Sequence, residues 1–278
     1  MTNNNDEILI KKVKEFITNN NQLLKIFTHH KIKYSIDELL KNILIILKTG
    51  ISYRDIQKYT TINWNTIYKF NLKLTKYNIF ERLFNKTIDN YLNEMKNTST
   101  TYFTDTAFIC NKLGEDLVSN NPQIKKHKTS KISIISDDFN IPLSIKVDTG
   151  VTHDSTILKE QLIDFNKKHP QIFNQTNILI ADGAYDSIPL QQLIKKLNLN
   201  KLITNKNIRN LKDKIKIDKL KISLYDKMLL RKRICVEHMI NKFKKFKRIQ
   251  LRYDRYIENF KSFIFTSALL IIIKNTGI

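Results

Sequence analysis

The sequence is poor in cysteine, in long hydrophobic runs and in acidic residues, and each shortage excludes a class of protein. Cys110 and Cys235 are the only cysteines in 278 residues and lack CxxC spacing, so neither a disulfide framework nor a zinc site is expected. The longest apolar run, 263–273, is shorter than the roughly 20 residues that cross a bilayer. The first residues lack the positive flank and apolar core of a signal peptide. We therefore expect an intracellular protein that is neither secreted nor a membrane protein.

Acidic residues are outnumbered by basic ones, 26 against 48, which gives a net charge of +22. Such an excess predicts an anionic partner and says little about the fold. The charge is concentrated late, because residues 201–261 contain 20 Lys and Arg against 6 Asp and Glu. A basic track of this kind suits the phosphates of a nucleic-acid backbone.

Residues 35–74 have the pattern of a helix, a short helix and a polar-faced helix. Ser35 is a predicted N-cap and Gly50 a C-terminal stop, with apolar residues at helical spacing between them. This is the outline of a helix-turn-helix unit, whose last helix lies in the DNA major groove, although three small helices can also form a plain packed bundle. The predicted DNA contacts on the last helix are Trp64, Asn65, Tyr68 and Lys69.

The pattern predicts an all-α, helix-turn-helix-like DNA-binding domain over residues 1–98, in which 1–34 contribute at most one weak helix. From residue 99 onward, short β-prone runs alternate with helices, which predicts an α/β domain with a mixed sheet. Its strands are expected at 102–109, 131–136, 142–147, 176–182 and 201–204. Its later part is expected to be a charged linker at 205–228, one long helix over 229–248 with a single apolar stripe, and a buried helix over 259–273.

Three acidic residues stand out from this pattern. Asp105 lies in the middle of a predicted strand, Asp182 ends a buried one, and Glu237 is a lone acid in a strongly cationic helix. Each has an ordinary alternative. Asp105 can face water on an edge strand, Asp182 can belong to an Asp-Gly turn, and Glu237 can form i, i+4 ion pairs on a solvated helix face.

A mid-strand acid, a strand-end acid and a helix acid can converge on one point. Carboxylates without a nearby His or Cys pair are hard oxygen ligands that suit Mg²⁺ or Mn²⁺. Two such ions about 3.5–4 Å apart serve phosphodiester chemistry. On the predicted helix, Arg233 and Lys244 lie four residues before and seven residues after Glu237, so the three share one line of the helix surface.

Several motifs together resemble the DDE transposases of bacterial insertion sequences, closest to the IS5 group within the IS4-like superfamily. Phe-Thr-Asp-Thr at 103–106 resembles the strand of the first acid, and Leu-Ile-Ala-Asp-Gly-Ala-Tyr-Asp-Ser at 179–187 resembles the second-acid motif. Gly-Val-Thr-His-Asp-Ser at 150–155 resembles the turn that precedes the second acid, and Arg-Tyr-Asp-Arg at 252–255 the segment that follows the third.

The third-acid helix of that superfamily carries Arg, three residues, Glu, six residues and Lys. Arg233, Glu237 and Lys244 have this spacing, while Leu230 stands where the signature often has tyrosine. The resemblance implies that Asp105, Asp182 and Glu237 are the catalytic, metal-binding triad. It also implies that Arg233 and Lys244 contact DNA near the scissile phosphate. Lys247 and Arg248, in the same basic stretch, are further predicted DNA contacts.

The resemblance further implies an RNase H-like catalytic domain, preceded by the helical domain, that performs cut-and-paste transposition. Water activated by two Mg²⁺ or Mn²⁺ ions would cleave the element end, and the freed 3′-hydroxyl would attack target DNA. The partners would be double-stranded terminal repeats and target DNA, bound by a dimer or larger assembly. The main alternative is an inactive or domesticated transposase that only binds DNA. A tyrosine recombinase and a basic RNA-binding protein are further alternatives.

Three residues near these motifs have supporting roles in the prediction. His153 and Asp154 either cap the helix that follows or support the metal ligands from behind, and the cap is favoured. Tyr185 is expected to shape the turn after Asp182.

Overall fold

The computed structural model describes residues 4–28, 33–94, 101–121, 127–170, 172–205 and 223–277. The chain divides into two compact units, each assembled from separate stretches. Unit 1 comprises Met1–Ile88, Ile109–Val118 and Lys242–Ile278, and unit 2 comprises Asp89–Phe108 and Ser119–Asn241. The predicted domain boundary at residue 98 and most of the predicted linker 205–228 lie outside the described residues.

The chain begins with a run of helices. They are α1 (Asn4–Thr18), α2 (Asn21–Thr28), α3 (Ile36–Thr49), α4 (Trp64–Lys76) and α5 (Ile79–Glu94), with a 3-10 turn at Asp55–Lys58. The expectation of one weak helix before residue 35 is therefore wrong. Val13, Ile17 and Phe27 are fully buried, and burial of an apolar face stabilises helices whose own propensity is low.

Both predicted ends of α3 are confirmed. The Ser35 hydroxyl accepts a hydrogen bond from the Glu38 N–H at 3.2 Å, and the Glu38 carboxylate accepts one from the Ser35 N–H at 2.8 Å. This reciprocal pair is a capping box, which satisfies N–H groups that the first turn leaves free. Gly50 ends the helix with a φ of 72°, a left-handed conformation that glycine adopts without a Cβ penalty.

Unit 2 contains most of a mixed sheet. Its strands are β1 (Thr101–Asn111), β2 (Ser119–Asn120), β3 (Lys128–Asp137), β4 (Pro142–Thr149), β5 (Ile178–Ile180) and β6 (Lys201–Ile203). β3 lies next to β1 and pairs antiparallel with β2 and β4, while β5 and then β6 follow parallel to β1 on its other side. The prediction of a mixed α/β sheet is confirmed.

Helices cover the sheet, as the α/β prediction also requires. They are α6 (Asp154–Lys168), α7 (Ile188–Lys196), α8 (Leu224–Arg231) and α9 (Ile234–Lys244). α6 contacts β3 and β4, and α7 contacts β6. Leu229 of α8 and Val236 of α9 are buried in one cluster with Phe103 of β1 and with Ile178 and Ile180 of β5. Because side chains alternate along a strand, α8 and α9 cover the sheet face on which Phe103, Ile178 and Ile180 lie.

The predicted continuous helix over 229–248 is wrong, because turns separate α8, α9 and a short α10 (Lys247–Gln250). Between α8 and α9, the N–H groups of Cys235 and Val236 donate to the carbonyls of Lys232 and Arg233, three residues back. This is the tighter hydrogen-bond pattern of a 3-10 turn. α8 also begins inside the predicted linker, where no helix was expected.

Unit 1 is completed by the end of the chain. After α10 come β7 (Leu251–Arg252) and α11 (Ile257–Thr276). β7 pairs parallel with the last residues of β1, and α11 contacts α1 and α4. The prediction of a buried last helix is confirmed, since residues 262–273 are all buried. None of the described helices is both long and apolar enough to span a bilayer.

Asp137 is a buried carboxylate at the turn between β3 and β4. Its Oδ1 accepts hydrogen bonds from the N–H groups of Phe139 at 3.1 Å and Ile141 at 2.8 Å, and its Oδ2 accepts one from the Tyr91 hydroxyl at 2.5 Å. Burial raises the pKa of Asp137 to about 6 despite these hydrogen bonds. A carboxyl whose pKa rises on folding favours the folded state more when protonated. The stability of the fold should therefore rise as pH falls from about 6 towards about 4, the pKa of the unfolded side chain.

Asp137→Asn should remove this pH dependence while keeping an oxygen for the two backbone N–H groups. Between pH 7 and pH 4.5, the unfolding free energy of the wild type should rise by about 2 kcal/mol relative to the variant. Urea denaturation at the two pH values measures it. Asp164→Asn, at an exposed position of α6, is the matched control and should show no such difference. The prediction would be contradicted if the unfolding free energies of the wild type and Asp137→Asn differed by the same amount at both pH values.

Candidate active site

Asp105 and Asp182 follow one paired position of two neighbouring parallel strands. β1 and β5 pair with Phe103 beside Ile180, and each aspartate comes two residues after that pair. Asp182 continues β5 in an extended conformation, with φ −73° and ψ 167°. Side chains two residues apart on extended chain share a face, so both carboxylates lie on the face that carries Phe103 and Ile180.

The helices on that face supply the third acid. Arg233 lies in the 3-10 turn between α8 and α9, and Glu237 lies in the first turn of α9. The Arg233 Nη1 donates to Asp105 Oδ2 at 2.9 Å, and its Nη2 donates to Glu237 Oε1 at 2.5 Å. One guanidinium thus joins a strand acid to a helix acid that is far away in the sequence.

Burial and neighbouring charge both act on Asp105. Burial raises the pKa of Asp105, the carboxylates of Asp182 and Asp154 raise it further, and the Arg233 guanidinium opposes them. The strand register places Asp105 and Asp182 on one face of neighbouring strands, each two residues after the Phe103–Ile180 pair. Asp182 itself is exposed, and among the described residues no cationic side chain forms an ion pair with it.

The donor chemistry of these acids fits a divalent ion, because carboxylate oxygens are the ligands that Mg²⁺ and Mn²⁺ prefer. Within the described part of the chain, no group of three His, Cys, Asp or Glu side chains is arranged to hold a metal. Arg233 is part of the reason, because its guanidinium already contacts one carboxylate oxygen of Asp105 and one of Glu237. The three acids therefore suit an ion by type, while the Arg233 guanidinium is the partner of two of them, Asp105 and Glu237.

A family model described as a transposase DDE domain matches residues 99–273. The chain belongs to the DDE transposase family. The matched residues include all three acids and run from β1 into α11. The family is therefore established for this chain, whereas the predicted roles of single residues remain predictions.

Solved structures similar to this DDE family member include a cryo-EM structure of a piggyBac transposase synaptic complex with hairpin DNA, at 11% identity and a TM-score of 0.45. That match covers 99% of this chain but only 65% of the piggyBac chain. A pre-cleavage Mos1 transpososome matches at 8% identity and a TM-score of 0.30, over 90% of this chain and 98% of that one. The catalytic domain of Mos1 mariner transposase matches at 11% identity and a TM-score of 0.29, over 62% of this chain and 91% of the Mos1 chain. No curated protein sequence matches the chain.

In this DDE family member, His153 is the N-cap of α6. Its Nδ1 accepts a hydrogen bond from the Ser155 N–H at 3.3 Å. Asp154 accepts a hydrogen bond from the Lys131 ammonium at 2.7 Å, and the same ammonium donates to the Thr152 carbonyl at 2.7 Å. Tyr185 is fully buried in the 3-10 turn after Asp182.

Sequence reasoning missed Lys131, which is only 5% exposed and ion-paired with Asp154. It lies inside β3, but it was only the first residue of the predicted strand 131–136. The mid-strand position that had singled out Asp105 was therefore not visible for Lys131. Burial raises the pKa of both Asp105 and Tyr185, and the Asp154 carboxylate raises both further. Lys131 holds that carboxylate in an ion pair at 2.7 Å.

The predicted DNA contacts differ in how available they are. Lys247 is exposed, and Lys244 lies in the last turn of α9. Arg248 is only 5% exposed, and its Nε and Nη2 donate to the two carboxylate oxygens of Asp254 at 3.0 and 2.8 Å. The Arg248 guanidinium is thus engaged inside unit 1.

On α4, Asn65 and Lys69 are exposed, whereas Trp64 and Tyr68 are half-buried. The Arg54 guanidinium lies 5.7 Å from the centre of the Trp64 ring, and Tyr68 packs edge-on against Tyr53 at 5.1 Å. α4 therefore presents polar side chains to solvent beside a cation held over an aromatic ring.

Proposed function

We propose that this protein is a DNA transposase of the IS5 group. It would cut DNA at the ends of a mobile element and join the freed 3′-hydroxyl to target DNA. The observation that carries the proposal is the contact of Arg233 with both Asp105 and Glu237, with Asp182 on the strand beside Asp105. Acids from separate elements that meet beside an arginine suit phosphodiester chemistry. Membership of the DDE family supports this reaction class.

Asp105, Asp182 and Glu237 would hold Mg²⁺ or Mn²⁺, with two ions in the full site. When bound, such ions polarise the scissile phosphate and favour the ionised form of the attacking oxygen. The protein's own part is to fix three carboxylates on one face of an RNase H-like sheet. Burial of Phe103 and Ile180 beneath the site gives the two strand acids a rigid base.

Arg233 and Lys244 would bind the DNA backbone near the cut. The planar fork of Arg233 can donate two parallel hydrogen bonds to one phosphate, while Lys244 acts as a point charge. Lys247, exposed in α10, would be a further phosphate contact. We leave Arg248 out of the proposed interface, because Asp254 already accepts two hydrogen bonds from it.

The region from α3 through the 3-10 turn to α4 is the proposed helix-turn-helix unit. In this proposal α4 enters the major groove of the element end, with Asn65 and Lys69 able to reach base edges or phosphates. Trp64 and Tyr68 orient the helix through their contacts with Arg54 and Tyr53. Element ends are brought together in pairs during transposition, so a dimer or larger assembly is part of the proposal.

The test is a strand-cleavage and strand-transfer assay on labelled duplexes that carry the inverted repeats flanking the gene. We expect nicked and joined products with Mg²⁺ or Mn²⁺, and none after the ions are removed with EDTA. Equal product in EDTA would contradict the metal-dependent reaction. Specific DNA binding without product in any ion would favour the inactive, DNA-binding alternative. A covalent protein–DNA adduct would point to a protein nucleophile instead.

A further inference from the structure

We propose that Arg233 acts as a counter-ion latch, which occupies the cation position between Asp105 and Glu237 until a DNA phosphate draws it away. The inference rests on the proposed function and adds to it a coupling between DNA binding and metal binding. In the DNA-free protein the latch would weaken metal binding, and on DNA it would release the acids. Arg233 would thereby be a positioning residue as well as a phosphate contact.

The two halves of the latch differ in strength. The Asp105 half joins side chains that are 22% and 20% exposed, at 2.9 Å. The Glu237 half is shorter, 2.5 Å, but the Glu237 side chain is 46% exposed. Water screens an exposed ion pair and leaves it little net stability. The Arg233–Glu237 ion pair is thus the one that a phosphate or a cation can break first.

Arg233 and a divalent ion compete for the same carboxylates. Each arm of the guanidinium uses one carboxylate oxygen, and like charges a few Å apart repel strongly where water is partly excluded. Metal bound by both Asp105 and Glu237 therefore requires Arg233 to move. Among the described residues, the Arg233 side chain has no ion-pair partner besides these two acids that would hold it in place.

A DNA phosphate offers Arg233 an equivalent partner. Its charge and oxygen spacing match the planar fork of a guanidinium. Arg233 lies in the short turn between α8 and α9, so its side chain can turn away from the acids without unwinding either helix. Coupling of this kind is reciprocal, so DNA should raise metal affinity by the same factor by which metal raises DNA affinity.

The experiment measures Mn²⁺ binding to the full chain without DNA, by electron paramagnetic resonance of the free ion. Arg233→Gln keeps a polar side chain but removes the charge, and should bind Mn²⁺ about tenfold more tightly than the wild type. Arg231→Gln removes an exposed charge two residues earlier and is the matched control. It should stay within about twofold of the wild type, because Arg231 is exposed to screening by water and salt and forms no ion pair with Asp105 or Glu237.

Arg233→Gln binding Mn²⁺ equally or more weakly than the wild type would overturn the latch, and so would absence of binding to both. An equal increase in Mn²⁺ affinity in Arg231→Gln would also overturn it, because loss of any nearby positive charge would then explain the effect. A melting temperature for each variant shows that it is folded. If Arg233→Gln does not fold, Arg233→Lys replaces it. That variant keeps the charge without the fork and should tighten Mn²⁺ binding by a smaller factor. DNA cleavage by the wild type would still support the proposed function in every one of these cases.

Discussion

Replacing Asp182 with alanine is expected to slow DNA strand cleavage about a thousandfold, because loss of a proposed ion ligand should remove several kcal/mol of transition-state stabilisation and each 1.4 kcal/mol or so is tenfold in rate. The melting temperature should stay close to that of the wild type. Asp182 is exposed, and its carboxylate accepts a hydrogen bond from the N–H of its neighbour Gly183 at 2.6 Å. A large loss of rate without a loss of fold would mark Asp182 as part of the chemistry.

Single-turnover cleavage of a labelled element-end duplex in Mg²⁺ gives the rate, and thermal denaturation gives the stability. Asp164→Ala is the control, because Asp164 is an exposed aspartate on α6 of the same unit. It should cleave at the wild-type rate. Cleavage by Asp182→Ala within about tenfold of the wild type, a loss of only about 1.4 kcal/mol, would remove Asp182 from the site.

Replacing Arg252 with methionine is expected to lower the free energy of unfolding by about 2–4 kcal/mol, because a hydrogen bond from a charged group contributes about 1.5–3 kcal/mol and Arg252 donates several. Arg252 is 0% exposed. Its Nη1 donates to the Asp116 carbonyl at 2.7 Å, its Nη2 to the Asp116 carboxylate, and its Nε to the Asp254 carbonyl at 3.0 Å. Methionine fills similar space but leaves these oxygens without their donors.

The loss should extend to the start of α11, because the Asp116 carboxylate also accepts the Ile257 N–H at 2.8 Å. Guanidinium-induced unfolding measures the effect. Arg255→Met is the matched control, since Arg255 is 62% exposed in its ion pair with Glu115. It should cost less than about 1 kcal/mol. Equal losses in the two variants would show that burial of Arg252 does not set its contribution.

Much of the fold could be predicted because its signals are local. α3 has its cap and its stop within the same short stretch, at Ser35 and Gly50. The strands of Asp105 and Asp182 are apolar runs that contain or end in an acid, so both the strand and its unusual residue were visible. Only the fold could show that the two strands are neighbours, because their register depends on backbone pairing between distant segments.

Other features leave no local signal. The turn between α8 and α9 contains neither glycine nor proline, and Leu229 and Val236 keep helical spacing across it, so the sequence reads as one helix. α1 and α2 looked weak because the surface that buries α1 comes partly from α11, at the far end of the chain. Helix propensity depends on neighbouring residues only, so it contains no information about a packing partner that is distant in the sequence.

Arg233 and Arg248 show the same limit among the predicted DNA contacts. Both belong to one basic stretch, and the sequence assigned both to DNA. Arg233 contacts the candidate acids, while Arg248 is buried against Asp254. The difference lies in which acid each guanidinium meets, and that depends on how the chain folds around it.

The place of α11 in unit 1 has a consequence for how the protein is made. A chain folds as it leaves the ribosome, N-terminal parts first. Here, however, α11, which contacts α1 and α4, is synthesised after all the other described helices and strands. Until Ile257–Thr276 emerges, α1 and α4 lack one of the helices that they contact in the complete fold. A message truncated before that point would yield helices without their core, and such a product would be open to proteolysis.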